Sequence, residues 1–136
     1  MNNFNDNIIA EFRANGGRVG GPFEGRRLLL LTTVGRRSGL QRTTPLVYST
    51  EDSKYVIAAS KAGADDHPAW LLNIQDKPDV TIEVGDRKLD VHASIVWSGE
   101  ERDRLYAAHA ELVPGFWDYE AKTERIIPVV VLEPTS

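Results

Sequence analysis

Three arginines fall within the short stretch Gly35-Arg36-Arg37-Ser38-Gly39-Leu40-Gln41-Arg42, directly after an apolar run. Two glycines allow tight backbone turns, the guanidiniums supply charge, and Ser38 with exposed main-chain amides supplies further donors. Such a segment can cradle phosphate or carboxylate, although a charged hairpin turn that only keeps a sheet edge soluble has the same composition. A second segment, Ala58-Ala59-Ser60-Lys61-Ala62-Gly63-Ala64, joins small side chains to one lysine. Small residues let a planar ring approach the backbone so that amides reach its heteroatoms; an ordinary strand exit is the plainer alternative. A third, His67-Pro68-Ala69-Trp70-Leu71-Leu72-Asn73, sets Trp70 and Asn73 three apart and therefore on one face of a helix. A tryptophan there fills a core at least as readily as it supports a ligand.

Other chemistries are excluded by what the chain lacks. With no cysteine there is no disulfide, thiolate ligand or cysteine nucleophile. His67, His92 and His109 are scattered without ligand spacing, so no metal site is expected. No Gly-x-Ser-x-Gly, P-loop or Gly-x-Gly-x-x-Gly pattern occurs. The net charge of −4 is unevenly laid out: residues 1–50 carry seven arginines against Asp6, Glu11 and Glu24, and the rest carries nine basic against seventeen acidic residues. A local excess of positive charge attracts anions, while overall acidity without a basic aromatic platform argues against nucleic acid.

A chain of 136 residues suits one domain over residues 1–136. It opens Met-Asn-Asn-Phe-Asn-Asp, without a basic and then apolar leader, and no apolar run approaches the roughly 20 residues of a bilayer span. A cytoplasmic protein is expected. Phe4, Ile8, Ile9 and Phe12 predict an amphipathic helix over residues 3–14, ended by Asn15-Gly16-Gly17. That helix is expected to pack on the barrel, with peripheral contact to a membrane surface left open. Strands are predicted over 28–34, 43–50 and 54–60, the last two joined by Glu51-Asp52-Ser53, and a hairpin over 80–84 and 88–96. Pro68 opens a short helix, and Ser98 with Glu101 has capping-box spacing before a helix whose stripe is Leu105, Ala108, His109 and Leu112. A short helix over 116–123 and a strand over 126–132 complete the chain. Hairpins without regular strand-helix alternation imply a mainly β, α+β fold: an antiparallel barrel with peripheral helices.

Taken in order, the motifs are more specific than any one alone. Phe12-Arg13-x-Asn15-Gly16-Gly17-Arg18-Val19-Gly20-Gly21, Leu30-Leu31-Thr32-Thr33-x-Gly35-Arg36-Arg37-Ser38-Gly39, Arg42-Thr43-x-Pro45-Leu46, Ala59-Ser60-Lys61-x-Gly63-Ala64, His67-Pro68-Ala69-Trp70-x-x-Asn73 and Arg125-x-Ile127-Pro128-Val129-Val130 resemble the deazaflavin-dependent nitroreductase family over nearly the whole chain. The resemblance implies a split β-barrel of the FMN-binding type and coenzyme F-420, an 8-hydroxy-5-deazaflavin with a phosphate-bearing acidic tail, as hydride donor; FMN is the lesser alternative. It further implies that Arg36, Arg37, Ser38 and Arg42 hold the tail, that Pro45 lines the ring pocket, and that Ala58, Ala59, Ser60 and Lys61 face the ring, with Trp70 and Asn73 beside it.

On the acceptor side, family members active on nitroimidazoles present aromatic hydroxyls where this chain has Val47, Val113 and Phe116, which leaves Tyr119 as the matching phenol. The expected activity is hydride transfer to an organic acceptor such as a quinone, enone or nitro compound, quinones ahead of bicyclic nitroimidazoles, with Tyr119 or Ser60 as proton donor. A coenzyme carrier without efficient turnover is the alternative. The oligomeric state, monomer or dimer, is left open.

Overall fold

The computed structural model describes residues 3–23, 25 and 27–135; the side chains of Asn3, Phe4 and Pro22 are outside that description, and with them the Phe4 position of the expected helical stripe. Helix α1 spans Asn3–Ala14, and the strands are β1 Leu28–Val34, β2 Gln41–Val47, β3 Ser49–Glu51, β4 Lys54–Ala58, β5 Asp79–Val84, β6 Arg87–Val96 and β7 Val129–Pro134. Between them lie α2 Ala69–Asp76, α3 Glu100–Leu112 and α4 Gly115–Ala121. All pairings are antiparallel, in the order β2-β1-β5-β6-β7-β4-β3. The two ends of that order, β2 and β3, are consecutive in the chain. The expected single strand over 43–50 is broken at Tyr48, whose N–H still follows the β1 register by donating to Arg27 O at 2.9 Å while Ser49 already pairs with β4, so one bent length of chain joins both edges of a curled sheet.

Strand patterns follow from which faces are covered. β1 buries Leu28, Leu29, Leu30 and Leu31 in succession. Leu29 and Leu31 face the interior with Ile57, Ile82, Val91 and Leu132, whereas Leu28 and Leu30 face outward onto Ile8 and Phe12 of α1. β5 and β6 lack such a cover and alternate, with Val80, Ile82, Val91 and Ala93 inward. The opening of the curl is filled by α2, which sends Trp70, Leu71 and Ile74 into the interior cluster. The outer faces of β4 and β7 are covered by α3 and α4. Because Ile8 and Phe12 are 6% and 1% exposed, the apolar stripe of α1 is taken up by the barrel and gives no support to a membrane contact. No helix among the described residues is long and apolar enough to cross a bilayer.

Two expectations for α3 are corrected. The helix is capped by Gly99 at φ 104°, with no side-chain cap bond, so Ser98 and Glu101 do not form the capping box. The acidic residues Glu100, Glu101 and Asp103 instead place negative charge at the helix's positive end. The buried stripe is Arg102, Leu105, Tyr106, His109 and Ala110, while Leu112 stays 48% exposed and Ala108 is exposed. Arg102 lies inside because every donor group finds a partner: Nε donates to Ile127 O at 2.8 Å, Nη2 to Glu120 at 2.8 Å and Nη1 to Asp103 at 3.0 Å, with the Tyr106 ring 4.4 Å away. The last strand begins at Val129 instead of 126, since Pro128 has no N–H for the ladder and Ile127 O is already bound by Arg102.

His109 is 1% exposed; its Nδ1 lies 2.9 Å from Ser49 Oγ, and Nε2 has no partner among the described residues. Burial pushes the imidazole down to about 4. Since the folded chain binds this proton more weakly than the unfolded one, stability is full above the ordinary value of 6.5 and is lost as pH falls from there toward 4, by up to about 3 kcal/mol. Urea midpoints taken across that range are expected to fall for the native chain and to flatten for His109→Gln. Equal slopes in the two proteins would remove His109 as the cause.

Candidate functional site

The arginine turn is closed by its own backbone: Gly35 N–H donates to Leu40 O at 2.8 Å and Gly39 N–H to Gly35 O at 2.9 Å. Ser38 Oγ accepts from Leu40 N–H at 3.1 Å and would stand 2.5 Å from a Cβ at position 35, which is why glycine sits there. The turn is also held from outside. Asn73 of α2, 6% exposed, accepts the Arg36 N–H at 3.1 Å and donates to Thr33 Oγ1 at 3.1 Å, tying the end of β1 to the turn. Arg36, Arg37 and Arg42 are exposed, and among the described residues no carboxylate pairs with any of them.

These arginines, with Ser38, Ala69 and Asn73, line a groove of about 240 Å3. A second groove of about 490 Å3 shares Arg42, Ala69 and Asn73 and continues along Thr43, Thr44 and Trp70 to Asp6 and Ile9 of α1. The shared lining makes one trough past the start of α2. Trp70, 8% exposed, serves both as core and as trough wall. Pro45 stands opposite Leu30 on β2, an edge position where its missing N–H costs no ladder bond on the open side.

The second predicted segment is a turn of unusual backbone. Lys61, Ala62 and Gly63 follow one another at φ 46°, 55° and 85°. Gly63 N–H donates to Ser60 O and Ala64 N–H to Lys61 O, which leaves the amides of Ser60, Lys61 and Ala62 without an acceptor among the described residues. A Cβ on Gly63 would lie 2.9 Å from Tyr119 O, so α4 closes on this turn. Arg125, to which the sequence reading gave no role, binds it from the other side, donating to Ala59 O, Ser60 O and Ala64 O at 2.8–3.1 Å. Its presence in the last motif was the only local signal.

Several expected ring contacts change character. The Ala59 methyl is fully buried in the interior cluster, and the Ala58 methyl lies in the outer one. Ala59 also has both backbone groups engaged, its N–H by Pro128 O at 2.9 Å and its carbonyl by Arg125. Lys61 Nζ is paired with Asp66 at 2.9 Å, which holds that carboxyl below its usual range. What this segment leaves available is therefore the run of amides from Ser60 to Ala62.

The residues after the Pro114 break divide. Phe116 belongs to the outer cluster, Trp117 is 46% exposed, and Tyr119 is half-buried with its ring edge-on to Phe116 at 5.3 Å. The Tyr119 hydroxyl makes no hydrogen bond among the described residues, which leaves its proton uncommitted. Val47 and Val113 wall a separate cavity of about 110 Å3 with Arg27, Tyr48 and Leu112. Tyr48 was not anticipated; burial, and then Tyr55, push its hydroxyl up, while Arg27 draws it down.

A family model described as F420H(2)-dependent quinone reductase matches residues 7–134. The chain is similar to an F420H(2)-dependent quinone reductase of Mycobacterium tuberculosis, 36% identical over 129 residues, covering 90% of this chain and 85% of the relative. Among solved structures it is similar to an F420-H2 dependent reductase, FDR-A, at TM-score 0.72 and 38% identity, covering 79% of this chain and 95% of that one. It is also similar to a heme storage protein, HutZ, of Vibrio cholerae at TM-score 0.65 and 19% identity, over 94% and 88% of the two chains, a likeness of fold alone.

Asn73→Leu keeps the branching of the side chain and removes both of its bonds, leaving Thr33 Oγ1 and the Arg36 amide unpaired. A loss of about 1–3 kcal/mol is expected in urea unfolding, with faster hydrogen exchange at the Arg36 amide. A change confined to stability, with exchange at Arg36 unaltered, would show that the turn holds itself.

Proposed function

The chain belongs to the F420H(2)-dependent quinone reductase family, and from that premise we propose which of its residues carry hydride transfer from reduced coenzyme F-420 to a small quinone. It is an oxidoreductase of the split-barrel kind. The observations that carry the assignment are a trough whose three guanidiniums have no carboxylate partner among the described residues and, at the exit of β4, three amides with no acceptor among them. Both sets of donors suit a ligand with an anionic tail and a polar-edged ring.

Bound there, the coenzyme supplies the hydride from carbon five of its deazaflavin ring. Arg36, Arg37 and Arg42 hold the phosphate and carboxylates of the tail. Ser38 Oγ already accepts from Leu40 N–H, so its own proton is free to be donated to the same group. The Ser60, Lys61 and Ala62 amides bind ring heteroatoms, while Trp70 and Pro45 bound the ring's apolar side. Because α2 packs Trp70, Leu71 and Ile74 into the interior, the coenzyme ring would be held at the rim of the barrel. Tyr119 would give its phenolic proton to the acceptor oxygen as negative charge develops there, with Ser60 as the alternative donor.

Mixing the protein with reduced deazaflavin and menadione and following the return of oxidised-coenzyme absorbance tests the reading. Binding without turnover would favour a carrier. Replacing Arg36, Arg37 or Arg42 by Ala is expected to weaken deazaflavin binding by about 1 kcal/mol each at low salt, less as salt rises, because the side chains are exposed. Three unchanged dissociation constants would remove the tail site. Tyr119→Phe is expected to lower menadione turnover by about a hundredfold with coenzyme binding intact. Full activity in that variant would assign the proton to Ser60 or water.

A further inference from the structure

Of the three left-handed residues after β4, only Gly63 escapes the clash between Cβ and the following carbonyl. Lys61 and Ala62 have no such relief and persist only if their surroundings hold them. Gly63 N–H and Ala64 N–H close the turn on itself, but that pattern is equally open to relaxed backbones. From outside, α4 closes on Gly63 and Arg125 holds both flanks. Its Nη2 donates to Ala59 O at 3.1 Å and Ser60 O at 3.0 Å, Nε to Ala64 O at 2.8 Å, and Nη1 to His67 Nδ1 at 3.1 Å. One planar fork thus grips the chain before the strained residues, after them, and at the approach to α2.

We infer that Arg125 is the positioning residue of the coenzyme-ring site: by gripping both flanks of the turn, with His67 as its fourth acceptor, it fixes Lys61 and Ala62 left-handed and keeps the Ser60, Lys61 and Ala62 amides out of internal bonds. The inference rests on the assignment of those amides to the ring under the proposed function. A lysine cannot replace the fork, because an ammonium at the end of a flexible stem does not span acceptors on both flanks at once. Thr123 supports the arrangement by donating to Asp65 at 2.9 Å.

His67 makes the grip sensitive to protonation. To accept from Arg125, its Nδ1 must carry the lone pair, so the ring is neutral with the proton on Nε2. The charged groups facing it are Arg125 and Asp66, the latter already paired with Lys61, and the Trp97 ring stands edge-on at 5.6 Å. Burial and then Arg125 hold the imidazole below its ordinary 6.5, with Asp66 opposing. Protonation removes the acceptor and sets a second cation against the guanidinium. The clamp is therefore complete above 6.5 and loosens as pH falls below it.

Two measurements decide the matter. In coenzyme-free protein, hydrogen exchange at the Ala59, Gly63 and Ala64 amides is expected to speed up alike in Arg125→Gln and Arg125→Lys. In titrations followed by deazaflavin fluorescence, both variants should bind at least about tenfold more weakly. His67→Gln keeps an oxygen acceptor without a titrating group. It should bind as the native chain does at about pH 8 and lose the native weakening between about pH 7 and pH 5. Unchanged exchange in Arg125→Lys overturns the clamp, and so does full binding by that variant. Should Arg125→Gln not fold, Arg125→Lys and His67→Gln still decide. A native chain that fails to bind deazaflavin overturns the site assignment, while the exchange arm separately decides the clamp.

Discussion

The architecture turns on a single length of chain, residues 41–51, that serves both edges of the sheet. Up to Val47 it pairs with β1, and from Ser49 it pairs with β4. Tyr48 is the joint, its amide making the last bond in the β1 register, to Arg27 O, before the chain turns to β4. Once that strand bends, β1 and β4 are brought round toward each other and the sheet must curl. The exits of those two strands carry the arginine turn and the left-handed turn, so the bend also determines that the two sets of donors share one rim.

Between the exits stands α2, a short helix with two tasks. Its apolar side chains fill the curl, which keeps any ligand out of the interior. Its buried polar residue, Asn73, reaches back to the arginine turn. The left-handed turn is restrained from the other direction by Arg125, which arrives just before β7. Each of these two loops is thus held by one buried or half-buried polar side chain that arrives from elsewhere in the chain. Rigidity at the rim comes from these long-range bonds more than from the local sequence of either loop.

That division explains what could be read beforehand. α1 and β1 end where their periodicity and their glycines say they should, and the hairpin around Gly85-Asp86 follows from alternation on both sides. Pro68 marked the start of α2 for a reason internal to proline. The arginine cluster and the small-residue segment were legible as donors from composition. By contrast, the stripe of α3 was misplaced because Arg102 and Tyr106 are buried by partners found far along the chain, Ile127, Glu120 and Phe116. The roles of Arg125 and Asn73 were hidden for the same reason. Their hydrogen-bond partners lie some sixty and forty residues away, and no local pattern encodes them. The burial of the Ala58 and Ala59 methyls was likewise invisible, since small residues suit both a ring platform and a tight core.

The three guanidiniums, which no carboxylate among the described residues pairs with, also shape events before contact. They stand on one rim of a chain whose remaining residues are strongly acidic, so an approaching polyanion meets repulsion over most of the surface and attraction at one point. A ligand with charge at one end and a neutral ring at the other is turned in that field so that its charged end docks first. The ring then searches a short arc about an anchored tail instead of the whole surface. Capture of a scarce ligand is faster for that reason, and the gain fades as salt shortens the reach of the field to about 8 Å.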